Sequence, residues 1–489
     1  MKEKHIFNGS ETQLLEYINK IVLKQNEEKK FVSCILENGV ITISVNNIST
    51  KLSLNRIRYI PRTFSMPTDI KYAIEVSSSD MSNDFIEGIL KAACEAYSPS
   101  EIEAIIQDMP LLKQYSLEQY DLSKYSIIWR DHFLEENIGL LNSFVRMGVH
   151  PDNIIALDKG DSTKHREQIT KTFQLLGYRT AIFDNACLNS DEKHKEYKEL
   201  LTDFLKDKEE KSVLVLDDGA IVTGLLEQNM ASKILFAIEL TEMGLRRIKT
   251  LDLLPCKIYN LAKTDLKKLF TYKEVANSVF IKIVELLGAK KIIGRTAMII
   301  GYGDLGSMLA ENFRSYGMNV VITDLDYKRI VLAAENGFVT YKNLSEAIKD
   351  VSPFLVIGTS GYESISALDI ENLPDGCFVT SAATADINAF LDIKDNSIST
   401  ILNYGTQYLV NGKIITLLGN GRSINLYDSE AIPNQANDLF KTATLITLIN
   451  GVKAQSLERT LDLEVVNSWL EESEIYKSYY ERYVRMKEE

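Results

Sequence analysis

An apolar run enters a glycine-rich turn at residues 297–306, which read Ala297-Met298-Ile299-Ile300-Gly301-Tyr302-Gly303-Asp304-Leu305-Gly306. The pattern predicts a strand, a tight turn at Gly301, and a helix whose free N–H groups face a pyrophosphate that the Gly303 backbone can approach. Gly306 would permit close packing of helix and strand. The next apolar run ends at Asp324, whose carboxylate can bond a ribose 2′-hydroxyl and would repel a 2′-phosphate. These residues predict a site for NAD rather than NADP; the alternative is a glycine-rich turn that binds nothing.

Small residues follow two further apolar runs, 354–357 and 377–380. The first run is closed by Gly358-Thr359-Ser360-Gly361 and the second by Ser381-Ala382-Ala383. Small side chains at the carboxyl ends of parallel strands leave room for a cofactor or substrate. Tight helix packing would select the same residues, so both interpretations stay open.

The chain from about residue 124 to residue 260 alternates short apolar runs with segments of helical length. Such alternation with fully apolar strands predicts α/β architecture with doubly wound parallel sheets covered on both faces. Asp217-Asp218-Gly219 directly follows one of these runs, which places two carboxylates at the carboxyl end of a strand, where such folds bind ligands. An acidic turn that ends a strand is an equally good explanation from local sequence.

Residues 1–120 read as a separate α+β module. Gln13–Leu23 has helical apolar spacing, and the runs 31–36 and 40–45 flank Asn38-Gly39, a hairpin signal. Further helices are expected at 84–97 and 99–109, and a strand at 56–60. No set of chemically matched residues stands out here, so we expect an accessory or oligomerisation module, with a regulatory small-molecule site as the less favoured alternative.

Composition narrows the possible partners. The 489 residues carry 55 Lys and Arg against 68 Asp and Glu, a net charge of −13, which argues against nucleic acid or an anionic membrane as partner. The five cysteines have no metal-site spacing, and no zinc motif is present, so no metal is expected. A charged start at Met1–His5 without an apolar run favours a cytoplasmic location. All five histidines precede residue 195.

Over about residues 125–450 the sequence resembles the S-adenosylhomocysteine hydrolase family. Residues 301–306 are similar to the family's GYGDVG, and Asp324 stands where the family has its ribose-binding glutamate. Thr359-Ser360-Gly361 is similar to its TTG, and residues 417–426 to LLAEGRLVNL. Upstream, residues 216–219 resemble the start of LDDGG, 239–244 resemble EETTTG, and 260–270 resemble a lysine-bearing hinge segment.

The resemblance implies NAD as cofactor and a reaction in which a ribose 3′-hydroxyl is oxidised, the neighbouring 4′ proton is removed, and hydride later returns. It implies catalytic roles for Lys263, Asp218 and His132. A surface position for Lys263 and a capping role for His132 stay open as alternatives. Residues implied to contact the cofactor are Gly301, Gly303, Asp304, Leu305, Gly306, Asp324, Thr359, Ser360, Gly361, Ala382, Asn425 and Thr241.

Several family positions carry different residues here. The glutamate of EETTTG falls on Leu240, the aspartate after the hinge lysine on Lys267, and the hinge cysteine on Tyr272. The two later histidines fall on Thr384 and Ile432. We therefore expect an NAD-dependent enzyme acting on a nucleoside- or sugar-like substrate other than S-adenosylhomocysteine. A catalytically inactive NAD-binding regulator and a weak genuine adenosylhomocysteinase are the alternatives.

The resemblance also implies a domain layout and assembly into a homo-oligomer. We expect an N-terminal module (1–120), a split substrate domain (121–272 and 433–455), an inserted NAD domain (273–432) and a C-terminal tail (456–489). In the family, the tail supplies lysine and tyrosine to a neighbouring protomer's NAD. Tyr476–Tyr483 offers both residue types, and a charged amphipathic helix is the alternative.

Overall fold

A computed structural model describes residues 5–25, 32–45, 48–58, 70–117, 120–207, 212–226, 228–383, 387–392, 399–402 and 404–485. These residues form two compact units. The first unit comprises the described residues within 1–160, 165–262 and 437–489, and the second comprises those within 161–164 and 263–436. None of the helices in the described segments has the length and hydropathy of a bilayer-spanning segment.

The N-terminal part of the first unit is an antiparallel sheet with helices. Its strands, in the order β1-β5-β4-β3-β2, are β1 (His5–Phe7), β2 (Val32–Glu37), β3 (Val40–Val45), β4 (Ile48–Arg58) and β5 (Ile70–Ser79). Its helices are α1 (Glu11–Gln25), α2 (Asn83–Glu95), α3 (Pro99–Gln107) and α4 (Pro110–Ser116). Asn38 and Gly39 have positive φ, as the hairpin prediction requires. The predicted strand residues Tyr59 and Ile60 lie outside the described residues.

Two N-terminal helices end earlier than the apolar spacing predicts. Helix α2 ends at Glu95 rather than residue 97, because Ser98 caps the next helix and forms a reciprocal capping box with Glu101. Helix α3 ends at Gln107 rather than 109, and Pro110 starts α4. Buried residues from α1, α2 and the sheet form one apolar cluster, against which Leu175 also packs.

A parallel sheet forms the rest of the first unit. Its first six strands are β6 (Tyr125–Asp131), β7 (Ile154–Asp158), β8 (Arg179–Ile182), β9 (Ser212–Asp217), β10 (Ile234–Glu239) and β11 (Lys257–Asn260). The helices between them are α5 (Glu135–Arg146), α6 (Arg166–Leu176), α7 (Asp191–Lys206), α8 (Ile221–Leu225), α9 (Gln228–Ala231) and α10 (Glu242–Ile248). Most of these strands are buried, as expected for apolar strands of a parallel sheet covered on both faces, whereas the edge strand β8 is partly exposed.

The second unit contains an eight-stranded sheet with the order β14-β13-β12-β15-β16-β19-β18-β17. The strands are β12 (Thr296–Ile300), β13 (Asn319–Thr323), β14 (Val339–Tyr341), β15 (Leu355–Gly358), β16 (Phe378–Ser381), β17 (Ser399–Leu402), β18 (Gly405–Val410) and β19 (Lys413–Leu418). The helices are α11 (Tyr272–Leu286), α12 (Asp304–Ser315), α13 (Tyr327–Glu335), α14 (Leu344–Val351), α15 (Ala367–Asn372) and α16 (Ala389–Asp392). Strands β12–β16 and β19 pair in parallel, which confirms the predicted α/β class.

After the second sheet the chain returns to the first unit. The elements there are α17 (Asn434–Ala454), β20 (Leu461–Asp462), α18 (Val465–Glu472) and α19 (Ile475–Tyr479). Strand β20 pairs in parallel with β11, giving a seven-stranded sheet in the order β20-β11-β10-β9-β6-β7-β8. Almost every residue of α17 from Asn437 onward is buried, so this helix is part of the core rather than a surface helix.

Candidate functional sites: a dinucleotide loop and an ion network

The turn after β12 depends on glycine at two positions. Gly301 has φ +103°, a conformation that disfavours a side chain. A Cβ on Gly306 would lie 2.0 Å from the Gly301 carbonyl oxygen and 2.7 Å from Thr359 Oγ1. Thr359 donates a hydrogen bond to that carbonyl at 2.8 Å, so it holds the turn from the neighbouring strand end. The turn therefore packs against α12 as closely as a dinucleotide-binding loop requires.

Helix α12 begins at Asp304 directly after this turn. Its N-cap residue is Gly303, which offers no side-chain hydrogen bond to the first turn of the helix. The first turn of α12 therefore receives no hydrogen bond from a capping side chain. A helix N-terminus of this kind favours a phosphate by both hydrogen bonding and dipole.

Asp324 lies at the end of β13 in a fixed orientation. Its Oδ2 accepts a hydrogen bond from the Tyr302 N–H at 2.7 Å, and its Oδ1 accepts one from the Asp326 N–H at 2.8 Å. The residue is 9% exposed. Each carboxylate oxygen retains acceptor capacity for a ribose hydroxyl. The glycine turn and this carboxylate both fit the adenosine half of NAD.

The other predicted cofactor residues of this unit lie at the ends of neighbouring strands. Thr359, Ser360 and Gly361 follow β15, and Ala382 follows β16. Asn425 is brought to Ala382 by Ser423, whose hydroxyl lies 3.1 Å from the Ala382 carbonyl oxygen and 2.9 Å from Asn425 Oδ1. Asn425 is buried, so its amide is held rather than solvated. The structure thus gathers these residues at one edge of the sheet.

A second group of polar residues lies at the carboxyl ends of the parallel strands in the first unit. His132 and Asp218 follow β6 and β9, and their Nε2 and Oδ2 atoms are 3.8 Å apart. Lys159, which follows β7, lies between them: its Nζ is 2.5 Å from Asp218 Oδ1 and 3.1 Å from His132 Nε2. Two predicted site residues therefore meet, joined by a lysine that the sequence analysis did not select.

Two arginines hold the loop that carries Asp218. Arg130 is fully buried and donates to the carbonyl oxygens of Phe183, at 2.8 Å, and of Asp218. Arg247 donates to the Gly219 carbonyl oxygen at 2.5 Å. Gly219 and Ala220 both have positive φ, which makes the turn sharp. The arginines therefore fix the position of the Asp218 backbone through carbonyl groups rather than through its carboxylate.

Lys441 of α17 adds a second buried ammonium group. Its Nζ lies 3.0 Å from Asp131 Oδ2 and 4.0 Å from Glu136 Oε1, and the side chain is 4% exposed. Burial alone would lower the pKa of Lys441, but the charges of Asp131 and Glu136 outweigh it and raise the pKa. Asn437 donates to Glu136 Oε1 at 2.9 Å. Lys441 is therefore charged and paired inside the core.

Asp217 and Glu239 are side-by-side partners at the ends of β9 and β10. Glu239 Oε1 accepts from the Gly219 N–H, the Thr241 N–H and the Thr241 hydroxyl at 2.7–3.0 Å. Glu239 Oε2 and Asp217 Oδ1 are both buried without a hydrogen-bond partner. Burial, followed by the charge of Asp217, raises the pKa of Glu239 to about 8, and burial also raises the pKa of Asp217. This pair therefore retains a proton at neutral pH.

Lys263, the third predicted catalytic residue, is solvent-exposed in the turn after β11 and belongs to the second unit. Lys267 begins a π-helical turn (Lys267–Thr271) that leads into α11 at Tyr272. Leu240 and Ile432, which stand where the family has ionisable residues, are both buried. Thr384 lies outside the described residues. Thr241 caps α10 in the first unit, and its hydroxyl donates to Glu239.

Asp131, His132 and Asp218 also bring ligand-type atoms within 4.8 Å of one another. Lys159 and Lys441 already place positive charge against the two carboxylates. These residues therefore form a hydrogen-bonded ion network rather than a metal site. Sequence reasoning missed Lys159, Lys441, Arg130, Asp131 and Glu136. A usable signal existed for Lys441, because a charge inside the apolar run 439–452 needs a buried partner.

The second unit has the fold and the loop of a doubly wound, NAD-binding domain. Residues 283–431 match the family model of the NAD-binding domain of S-adenosyl-L-homocysteine hydrolase. Residues 283–431 are therefore similar to the NAD-binding domain of the adenosylhomocysteinases, and NAD is the cofactor of this domain.

Curated relatives support the same family. The adenosylhomocysteinase of Aeropyrum pernix is 30% identical over 237 residues, which cover 46% of this chain and 56% of the relative. That of Saccharolobus solfataricus is 28% identical over 239 residues, with the same coverage of 46% and 56%. The chain thus spans little more than half the length of these relatives.

Among solved structures, a dipicolinate synthase chain from Bacillus halodurans is similar with a TM-score of 0.39 and 12% identity, covering 68% of this chain and 99% of that one. We base no conclusion on a structural similarity of this size.

Proposed function

We propose that this protein is an enzyme that uses bound NAD to oxidise a hydroxyl of a nucleoside- or sugar-like molecule other than S-adenosylhomocysteine. The observation that carries the proposal is the network of His132, Lys159 and Asp218 at the strand ends of the first unit, in a chain whose second unit holds NAD. Ionisable groups clustered in this way are typical of proton-transfer sites. We further propose the domain layout and the homo-oligomer expected from the sequence.

In this proposal NAD, when bound, supplies hydride acceptance. Gly303, Asp304 and Leu305 hold the pyrophosphate through backbone N–H groups, and Asp324 binds the adenosine ribose. Asn425 and Ala382 hold the nicotinamide end, and Thr241 also contacts the cofactor. Asp218 and His132 move protons to and from the substrate, and Lys263 assists removal of the hydroxyl proton.

The substrate preference rests on the replaced residues. Leu240 is 2% exposed and cannot ionise, and Lys267 reverses the charge of the family's aspartate. The two histidines that help the family recognise the homocysteine and adenosine parts of S-adenosylhomocysteine are also replaced, by Thr384 and Ile432, and a site without such groups loses affinity for that ligand.

The experiment incubates purified protein with a panel of nucleosides, sugars and hydroxy acids and follows absorbance of bound NADH. We expect a signal with at least one nucleoside or sugar, and its loss in Lys263→Ala and Asp218→Asn. Lys249→Ala is the matched control, since Lys249 is also an exposed lysine. Silence across the whole panel would contradict the proposal.

A second candidate is a catalytically inactive NAD-binding regulator. It is favoured by the apolar side chains of Leu240 and Ile432. It predicts stoichiometric NAD with no turnover of any substrate. A third candidate, weak adenosylhomocysteinase activity, predicts homocysteine release from S-adenosylhomocysteine in the same assay.

A further inference from the structure

Lys159 occupies the space between two site residues. It directly follows β7, and its backbone N–H donates to the Asp131 carbonyl oxygen at 3.3 Å. Its ammonium group lies 2.5 Å from Asp218 Oδ1 and 3.1 Å from His132 Nε2. The side chains of Lys159, His132 and Asp218 are 14%, 18% and 11% exposed, so water screens these contacts little.

The ammonium group of Lys159 decides which atom is the donor in its hydrogen bond with His132. An ammonium group has three donors and no acceptor, so His132 Nε2 must accept the hydrogen bond. A neutral imidazole that accepts at Nε2 carries its proton on Nδ1. The direct approach of His132 Nε2 to Asp218 Oδ2, at 3.8 Å, is too long for a hydrogen bond. The lysine is therefore the group that joins imidazole and carboxylate.

We propose that Lys159 is a positioning residue that holds His132 in the Nδ1–H tautomer and fixes the Asp218 carboxylate against the same ammonium group. Lys159 therefore sets the relative position of His132 Nε2 and the Asp218 carboxylate. Any catalytic use of this pair of side chains rests on the proposed function above, whereas the tautomer of His132 does not.

Removal of the ammonium group would reverse the arrangement. In Lys159→Met, Asp218 loses its cation and His132 Nε2 loses its donor. The proton then moves to Nε2, where it can donate to Asp218 after a small rotation. Lys159→Arg retains a donor-only cation and should retain the Nδ1–H tautomer.

The test reads the imidazole nitrogen shifts by NMR in the full-length protein, labelled at its five histidines and held above the usual imidazole pKa. His132→Gln identifies the His132 signals. We expect Nδ1–H in the unchanged protein and in Lys159→Arg, and Nε2–H in Lys159→Met. Lys171→Met, which removes a lysine paired with Glu95, is the control and should leave the His132 signals in place.

Nε2–H or an imidazolium in the unchanged protein would overturn the assignment, as would an unaltered tautomer in Lys159→Met. If Lys159→Met does not fold, the unchanged protein and Lys159→Arg still decide, because both must show Nδ1–H. The measurement needs neither substrate nor turnover. A protein that shows the expected tautomers but oxidises nothing would therefore contradict the proposed function alone.

Discussion

The candidate sites of the two units are built from different kinds of chemical group. In the second unit the dinucleotide loop is built from backbone groups and small residues, with the Asp324 carboxylate hydrogen-bonded to the Tyr302 N–H beside it. In the first unit the strand ends carry buried ions in close contact, among them Lys159 with Asp218 and Lys441 with Asp131. The loop leaves no room for a side chain at Gly306, whereas the buried ions of the first unit need balancing charges. The two halves should therefore fail in different ways when changed.

The largest effect is expected for Gly306→Ala, which tests the claim about added atoms. The new Cβ would lie 2.0 Å from a backbone oxygen that cannot move without opening the turn. We expect loss of NAD binding by calorimetry and destabilisation above about 4 kcal/mol. Gly88→Ala is the control, because nothing lies within 4 Å of its added Cβ and it sits inside α2. Normal NAD affinity in Gly306→Ala would show that the loop is looser than described.

Lys441→Met tests the claim about unbalanced charge. It leaves Asp131 and Glu136 buried without their cation, and breaking a buried pair from one side costs about 3–5 kcal/mol. Urea unfolding should show this loss, and the double variant with Asp131→Asn should recover part of it. Lys477→Met removes an exposed pair with Glu474 and should change stability by less than about 1 kcal/mol. Equal losses in the two lysine variants would remove the contrast between buried and exposed pairs.

The same difference explains what sequence could predict. The residues of the dinucleotide loop are close in sequence, and each glycine has a local backbone reason, so Gly301, Gly306 and Asp324 could be identified together. The ion network joins residues far apart in the chain, such as Asp131 and Lys441, whose pairing depends on where α17 packs. Lys159 next to a strand end has no local pattern that separates it from a surface lysine. Only the three-dimensional arrangement brings it between His132 and Asp218.

Glu239→Gln should alter how stability depends on pH. Because the folded pKa is about 8 and the unfolded value near 4.5, the folded state holds a proton that the unfolded state releases in this window. The contribution of Glu239 to the free energy of unfolding is therefore greatest below the pKa of the unfolded state. It falls as the pH rises toward the pKa of the folded state, by up to about 1.4 kcal/mol per pH unit. Urea unfolding across this range should show a shallower slope in Glu239→Gln. Glu242→Gln, three residues further on at the start of α10, should keep the slope of the unchanged protein.

The smallest effect is expected for Tyr97→Phe. This substitution tests whether a residue of the N-terminal module takes part in the buried polar network of the first unit. Tyr97 is fully buried, and its hydroxyl donates to Glu135 Oε1 at 2.5 Å, next to Glu136 of the Lys441 pair. A hydrogen bond to a charged group contributes about 1.5–3 kcal/mol, and one to a neutral group about 0.5–1.5 kcal/mol. Tyr17→Phe is the matched control, since its hydroxyl donates to the neutral Tyr97 carbonyl oxygen at 2.8 Å.

We therefore expect Tyr97→Phe to lower the free energy of unfolding by about 1.5 kcal/mol and to exceed Tyr17→Phe. Combination with Glu135→Gln should be non-additive for Tyr97→Phe and additive for Tyr17→Phe, because only Tyr97 shares a bond with Glu135. Additivity in both cycles would show that the Tyr97 hydroxyl is not coupled to the Glu135 carboxylate. Coupling confined to Tyr97 would instead make the module's Tyr97 part of the hydrogen-bond network at the start of α5.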